Sequence, residues 1–430
     1  MRKVWMGLAA LAAIVVGAVA LLSGGATEPT TAEAADLPPA DEIAKRVEEL
    51  RGLKFKDDPK VEFVTSDQLN GQLKKIDQAA AKELTGRAKE RAEAMSVAST
   101  AVMALTGIVP ESKMDEVGGG GGEGSVLGLY VPERKRLFVV KELADKDPKL
   151  AEAVVAHELT HALEDQHFPG FSRSSKPFAE SAMARHALQE GTATMAELEY
   201  RSKFLDDKRP IEQMIEEEIR GRLGDEDAPP GLNVLSQFDY ADGATFVRTL
   251  QRQGGWKTVD QALRRPPTTS SAILNPEKWP TDRAERPRFS LTGALSGEWQ
   301  RLARADLGEI DTLAILAAGL PLDQAKKAAE GWAAGRFEAW ATEDVEKCEG
   351  ACREALAAAL VWKTKDEAQQ RELTGALKAA LLQSVSATET GGTLRIGKGH
   401  AAQAARGNVT VLAFAPSPEE AERVAETAAR

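Results

Sequence analysis

Residues 154–163 constrain this chain more than any other stretch, because they contain the pattern His-Glu-x-x-His between aliphatic residues. On an α-helix, His157 and His161 are separated by about 400° of rotation, so both imidazoles leave from nearly the same face. Glu158 projects from the flank of that face. Two imidazoles and one further protein ligand would leave one position on a zinc ion open for water. The stretch therefore predicts two zinc ligands, His157 and His161, beside a catalytic carboxylate, Glu158.

The sequence around this pattern also predicts a buried helix of about 20 residues, because Asp147 supplies an N-cap and Pro148 a first helical residue. Buried histidines need partners, which a metal would supply. Zinc lowers the pKa of a bound water, and a neighbouring carboxylate can take the proton of that water and later return it. This chemistry is that of a zinc peptidase. The alternative is a helix whose two histidines have ordinary partners in the core.

Two residues compete for the place of the third zinc ligand. His167 follows His157 by ten residues, the outer spacing of the metzincin pattern, which requires glycine at position 164. This chain has Glu164, which continues a helix and rotates His167 by about 240° beyond His161, away from the metal. The pattern therefore disfavours His167.

Glu190 lies in a second predicted helix, residues 177–204, among small residues that allow the two helices to approach closely. Its position, 29 residues after His161, permits an antiparallel return of the chain. We therefore predict Glu190 as the third ligand. Glu180 and Glu197 are on the same predicted helix and stay as lesser alternatives.

His186 is placed one turn before Glu190 on the same face of the second predicted helix. It is a candidate for a group that supports the ligands or contacts the transition state, and Thr194, one turn after Glu190, is another. The simpler interpretation of His186 is a packed or solvated side chain.

Residues 126–131 and 136–140 are apolar segments on either side of a polar turn, a pattern typical of a β-hairpin. A hairpin directly before a zinc helix offers an edge strand, to which a peptide or protein substrate could pair as an added strand. An ordinary sheet hairpin is the alternative, and the two interpretations are compatible.

The N-terminus has the features of an export signal: a basic start, an apolar run over residues 4–22, and small residues before position 34. The run of 19 residues is long enough to span a bilayer if it is not cleaved. The sequence thus predicts an exported protein, either extracellular or periplasmic, or anchored in the inner membrane by residues 4–22.

Charge and cysteine content restrict the partners and the compartment. The formal net charge of -11 argues against nucleic acid and anionic lipid as partners, and leaves the N-terminal segment as the only predicted membrane contact. The chain has two cysteines, Cys348 and Cys352. In an oxidising compartment they favour a local disulfide over a free pair.

The predicted fold class is α+β, mainly helical, in three parts. Residues 1–34 form the signal peptide or membrane anchor, and residues 35–300 form the part that contains the His-Glu-x-x-His helix. Residues 301–430 are rich in alanine helices and end in several predicted strands, which indicates a separate α+β module.

The chain resembles the gluzincins, the thermolysin-type zincins whose third zinc ligand is a glutamate from a second helix. More narrowly, it is similar to a family of exported bacterial His-Glu-x-x-His proteins of unsettled substrate. The similarity covers about half of the chain. Its residues are 127–130, 157–168, 190–194, 254–256, 266–269, 275–279, 331–332 and 361–364. The resemblance implies a zincin-like catalytic domain that holds Zn²⁺ through His157, His161 and Glu190.

Three departures from the relatives bear on activity. The relatives tend to have histidine where this chain has Asn275, and Gly-Asp-Arg where it has residues 334–336. Thermolysin-type enzymes place an aspartate where Thr194 stands. The departure at Asn275 favours an alternative function, an inactive zincin-fold envelope protein for binding or assembly whose zinc is structural.

Overall fold

The described part of this computed structural model is mixed α+β and mainly helical, as predicted. It comprises residues 18–20, 37–83, 85–114, 126–169, 179–216, 228–283, 287–291, 293–295, 299–343 and 352–430. The helices are α1 Ala40–Arg51, α2 Ser66–Glu83, α3 Arg87–Thr106, α4 Lys141–Lys146, α5 Pro148–His167, α6 Glu180–Phe204, α7 Ile211–Gln213, α8 Pro230–Gln237, α9 Gly243–Gly254, α10 Trp256–Arg264, α11 Ser270–Leu274, α12 Glu309–Ala317, α13 Leu322–Ala329, α14 Glu367–Ser384 and α15 Pro418–Ala428. A π-helix, Phe238–Asp242, joins α8 to α9, and two 3₁₀ turns lie at Glu111–Lys113 and Pro276–Lys278.

The strands form two sheets. The strands are β1 Ala18–Ala20, β2 Lys60–Val64, β3 Val126–Val131, β4 Arg136–Val140, β5 Gln300–Asp306, β6 Trp332–Ala341, β7 Leu356–Thr364, β8 Thr388–Thr390, β9 Thr393–Ile396, β10 Gly399–Arg406 and β11 Val409–Ala415. The first four form one sheet in the order β1-β3-β4-β2, and the other seven form a second sheet in the order β5-β6-β7-β11-β10-β9-β8.

The predicted hairpin is present as β3 and β4, which pair antiparallel. β2 adds to β4 in parallel. The outer side of β3 is paired with β1, so β3 is an inner strand of this sheet. In this arrangement residues 18–20 of the predicted export segment are the outer neighbour of β3, and pairing of a substrate with the hairpin stays a prediction.

The rest of the predicted export segment lies outside the described residues. Within the part of the chain that the structure describes, no helix combines the length and the apolar character needed to cross a membrane. The assignment of residues 1–34 as a signal peptide or anchor stays a prediction.

Helix α5 begins and ends where its sequence predicts. Asp147 accepts a hydrogen bond from the backbone N–H of Leu150 at 3.0 Å, and Pro148 is the first helical residue. The helix then runs for 20 residues without a break, and Ala151–Glu164 are all buried. One face packs on the β3–β4 hairpin through apolar side chains that include Leu129, Leu137 and Leu159. The strands thus support the helix that contains the His-Glu-x-x-His pattern.

The second sheet has a core on each face. Leu360 and Trp362 of β7 face α12 and α14, whereas Val361 packs with Val424 of α15 on the opposite face. The side chains alternate because successive residues of a strand point to opposite faces. Each face therefore buries apolar residues, which explains why the central strands of this sheet contain few charged ones.

The predicted disulfide falls partly outside the described residues. Cys352 is disulfide-bonded, but Cys348 lies in the part of the chain that the structure does not describe. The pairing of these two cysteines stays a prediction.

Candidate metal centre

The centre is formed where α5 and α6 pack against each other. His157 and His161 of α5 face the carboxylate of Glu190 on α6: Nε2 of His157 lies 3.5 Å from Oε2, and Nε2 of His161 lies 3.7 Å from Oε1. One donor atom from each of the three residues lies within 4.8 Å of the others. All three residues are buried, with 0–3% of their surface exposed.

These separations fit a metal ion better than hydrogen bonds. Contacts of 3.5 and 3.7 Å are too long for hydrogen bonds, and in the described structure Nε2 of both histidines and both oxygens of Glu190 lack such a bond. Zinc bonds of about 2.0–2.2 Å at tetrahedral angles put neighbouring donor atoms about 3.3–3.6 Å apart. Buried polar atoms without hydrogen bonds are costly. The three side chains could therefore hold a metal ion.

Glu197 completes the environment of His157. Its carboxylate lies 3.2 Å from Nδ1 of His157, the ring nitrogen that does not face Glu190. A carboxylate at this position fixes the proton on Nδ1 and leaves the lone pair of Nε2 for a metal. Glu197, a lesser alternative for the third ligand, is thus a partner of His157 and not a member of the donor cluster.

His186 and a π-helix lie on another side of Glu190. Nε2 of His186 is 3.6 Å from Oε1 of Glu190, and its Nδ1 is 3.1 Å from Asp239. The neighbouring Tyr240 is also close to Glu190, and burial together with this carboxylate raises its pKa well above the usual value. Asp239 and Tyr240 both belong to the π-helix Phe238–Asp242. π-Helical turns occur frequently at functional sites, because they redirect side chains within a helix.

Glu158 is held against strand β3. It is fully buried, and neither carboxylate oxygen has a hydrogen bond of ordinary geometry in the described structure. A Cβ atom on Gly128 of β3 would lie 2.8 Å from Oε1 of Glu158 and 2.7 Å from Val154. Gly128 therefore lets the strand approach the helix closely at this carboxylate. Burial raises the pKa of Glu158 to about 8.

The site combines imidazoles with an excess of carboxylates. Burial alone would raise the pKa of Glu190, but His161 and His157 hold it well below its usual value. Burial likewise lowers the pKa of His157, while Glu190 and Glu197 raise it to about 10. When both imidazoles are neutral, as metal ligands must be, these carboxylates leave buried negative charge, which is costly without compensation. A divalent cation would supply that compensation.

A pair of glycines lets α6 approach the π-helix and α9. A Cβ atom on Gly191 would clash with the backbone of Gly243, and one on Gly243 would clash with the carbonyl of Ala187. The small residues around Glu190 were predicted to allow close packing on α5, but this closest approach is to the start of α9. The crossing puts Tyr240 beside Glu190 and Asp239 beside His186.

The other predicted candidates lie apart from the donor cluster. His167 uses Nε2 to contact the backbone carbonyl of Lys54 at 2.7 Å. Glu180 accepts hydrogen bonds from Ser270, and the amide of Asn275 donates to Ser271 and Glu309.

Thr194 is buried, and its hydroxyl has no hydrogen bond in the described structure. Thr194 therefore does not take the place of the aspartate that thermolysin-type enzymes have at this position. Carboxylates from two other positions, Glu197 and Asp239, contact the histidines instead.

Glu197, Asp239, Tyr240 and Gly128 acquire their roles only in the folded structure. The sequence offered one signal for Gly128, a glycine inside an apolar strand, which often marks a close approach of backbone to another group. The residues of the π-helix gave no such signal.

Comparison with known proteins reaches only the C-terminal part. Residues 298–425 match the family model described as a domain of unknown function, DUF8575. No curated protein and no solved structure matches the chain. The match covers the seven-stranded sheet and its helices, and does not include α5 or α6.

Proposed function

We propose that this chain is a zinc-dependent peptidase of the gluzincin type. The observation that carries the proposal is the set of buried donors of His157, His161 and Glu190, which face one another at 3.5 and 3.7 Å without hydrogen bonds. The succession of hairpin, helix and second helix, β3-β4-α5-α6, supports a zincin-like arrangement. A zinc ion at this centre, beside the carboxylate of Glu158, is best suited to the hydrolysis of a peptide bond.

A bound zinc ion would activate a water molecule and polarise the substrate carbonyl. Glu158 would take the proton of that water and return it to the leaving nitrogen. Its burial supports both steps, because a pKa raised toward neutrality makes a carboxylate effective as base and then as acid. His186, oriented by Asp239, and Tyr240 are donors near Glu190 that could stabilise negative charge on the carbonyl oxygen.

The second candidate is a zincin-fold binding or assembly protein with structural zinc. The burial of the three ligand residues favours it, since structural zinc sites are closed. Structural sites, however, are usually closed by four protein ligands. The described residues offer a cluster of three, and Glu158 stands beside it without a hydrogen-bond partner. These two features favour the peptidase.

The departure at Asn275 weighs less against activity than the sequence indicated. Its amide binds Ser271 and Glu309, at the junction with the second sheet, and makes no described contact with the zinc ligands. The proposed zinc centre of this chain therefore does not need a histidine at position 275.

We also propose that the protein is exported and that an extended peptide is its substrate. The disulfide at Cys352 supports an oxidising compartment. If the export segment is cleaved, residues 18–20 leave with it, and the outer side of β3 becomes available for pairing with a substrate. An uncleaved segment would leave that side of β3 occupied.

The test compares the wild-type protein with Glu158→Gln, which keeps size but removes the base. We expect zinc in both proteins, cleavage of a peptide library by the wild type that chelator abolishes, and a loss of about 100-fold or more in the variant. Zinc without chelator-sensitive cleavage in the mature wild type would favour the structural-zinc alternative. Cleavage that survives Glu158→Gln nearly intact would exclude Glu158 as the base.

A further inference from the structure

Helix α5 buries two carboxylates besides Glu158, one on each side of the zinc ligands. Glu152 precedes His157 by five residues and Glu164 follows His161 by three, and both are almost fully buried. A buried carboxylate needs a charged or hydrogen-bonded partner to offset the loss of water. Both receive these partners from the same two helices, α1 and α6.

At Glu164 the partners are Arg51 and Thr192. The guanidinium of Arg51 donates to Oε1 of Glu164 at 3.0 and 3.2 Å, and the hydroxyl of Thr192 donates to Oε2 at 2.7 Å. The side chain of Arg51 has no exposed surface. It also binds Asp260 at 3.1 Å and lies 3.9 Å from the ring of Trp256. A buried arginine with this many partners has one orientation.

At Glu152 the partners are Arg46 and Tyr200. The Tyr200 hydroxyl donates to Oε1 of Glu152 at 2.5 Å, and Arg46 donates to the same oxygen at 2.8 Å. Arg46 also donates to the Tyr200 oxygen at 3.2 Å. Each end of the ligand-bearing segment of α5 is thus bound to one arginine of α1 and one hydroxyl of α6.

These bonds lie on either side of the proposed zinc ligands along α5. On α5 the two carboxylates enclose both ligand histidines, and on α6 Thr192 lies within one turn of Glu190. Sliding or separation of the helices by 1 Å would change the 3.5 and 3.7 Å gaps between imidazoles and carboxylate, and would also break these bonds. The two bonds therefore hold the helices at the spacing that the ligand cluster requires.

We propose that the hydroxyls of Thr192 and Tyr200, bound to Glu164 and Glu152 beside Arg51 and Arg46 of α1, hold α5 and α6 at the spacing that zinc binding needs. These four are positioning residues, because none of them contacts the donor atoms. The proposal rests on the zinc site proposed above. It assigns a role in metal affinity to two buried hydroxyls that would otherwise be ordinary packing groups.

The test removes only the two hydroxyls, in the variant Thr192→Val/Tyr200→Phe. We expect the zinc dissociation constant, measured by competition with a chelator, to rise about tenfold or more, the usual effect of losing partners behind the ligands. The single variant Thr192→Ser keeps both hydroxyls and should bind zinc with the affinity of the wild type. Thr312→Val is the matched control, since its buried hydroxyl binds Trp362 and Gly308 in the C-terminal part.

Circular dichroism at the temperature of the titration ensures that the zinc-free proteins are folded. A lower melting temperature with a zinc dissociation constant within twofold of the wild type would overturn the proposal, because that result describes ordinary packing. If the wild type itself binds no zinc, both the zinc centre and this proposal fail. If the double variant does not fold, the zinc dissociation constant of Tyr200→Phe alone, which removes one oxygen atom, is compared with that of the wild type.

Discussion

Nδ1 of His157 lies 3.2 Å from a carboxylate oxygen of Glu197, while Nε2 of the same ring faces Glu190 at 3.5 Å. One imidazole thus stands between two glutamates of the same helix, with a separate task for each nitrogen. The carboxylate of Glu197 orients the ring and increases its basicity toward a metal.

We expect Glu197→Ala to weaken zinc binding by about 10- to 100-fold, because His157 would lose the group that fixes its tautomer. Competition with a chelator measures this change. Glu338→Ala is the control, since Glu338 is equally buried and is paired with Arg304 in the second sheet. Equal zinc affinity in the wild type and Glu197→Ala would remove Glu197 from the centre.

Gly128→Ala tests the contact between strand β3 and the carboxylate of Glu158. The added methyl group would lie 2.8 Å from Glu158 and 2.7 Å from Val154, so one of them must move. We expect hydrolysis to fall by about 10- to 100-fold with zinc content unchanged, since small displacements of a catalytic group are costly. Gly71→Ala, where the methyl group meets nothing within 4 Å, should leave activity intact. Full activity in Gly128→Ala would show that the contact does not position Glu158.

Glu180 should make the stability of the fold depend on pH. Burial raises its pKa to about 8, with Asp311 and Asp306 nearby and with Ser270 donating two hydrogen bonds to one oxygen. Because the folded pKa lies above the unfolded value near 4.5, the folded state binds the proton more tightly. This contribution is complete below pH ~4.5 and is lost as the pH rises through ~8.

We therefore expect Glu180→Gln, which cannot ionise, to raise the melting temperature relative to the wild type at pH 8–9 more than at pH 5. Thermal unfolding of the zinc-free protein over this range measures the difference. A difference that is independent of pH would mean that Glu180 is ionised in the fold.

The part of the site that lies within single helices was predictable from sequence. The spacing of His157 and His161, the N-cap at Asp147 and the helix-continuing Glu164 act over a few residues. The rule that an α-helix repeats every 3.6 residues is enough to put the two imidazoles on one face. Glu190 required one more inference, that a second helix returns beside the first.

The rest depends on contacts between residues far apart in the chain. Arg51 and Glu164 are separated by 113 residues, and Arg51 and Asp260 by 209. No pattern of spacing or composition indicates which arginine meets which carboxylate over such distances. The π-helix could not be predicted either, because its residues have the pattern of an ordinary loop before a helix.

The neighbour on the outer side of β3 could not be predicted, for a related reason. The apolar pattern of β3 and β4 predicts a hairpin, but it does not say which strand will lie on the outer side of β3. Residues 18–20 have an apolar character that fits an export segment and a β-strand equally well.

The direct test of the zinc centre is the metal content of three purified proteins: wild type, Glu190→Ala and His167→Ala. His167 is the matched comparison, since it lies on the same helix as His157 and His161 but contacts the carbonyl of Lys54. We expect roughly one zinc per chain in the wild type and in His167→Ala, and a loss of most of it in Glu190→Ala. Zinc retained in Glu190→Ala but lost in His167→Ala would contradict the assignment of Glu190 and the centre built on it.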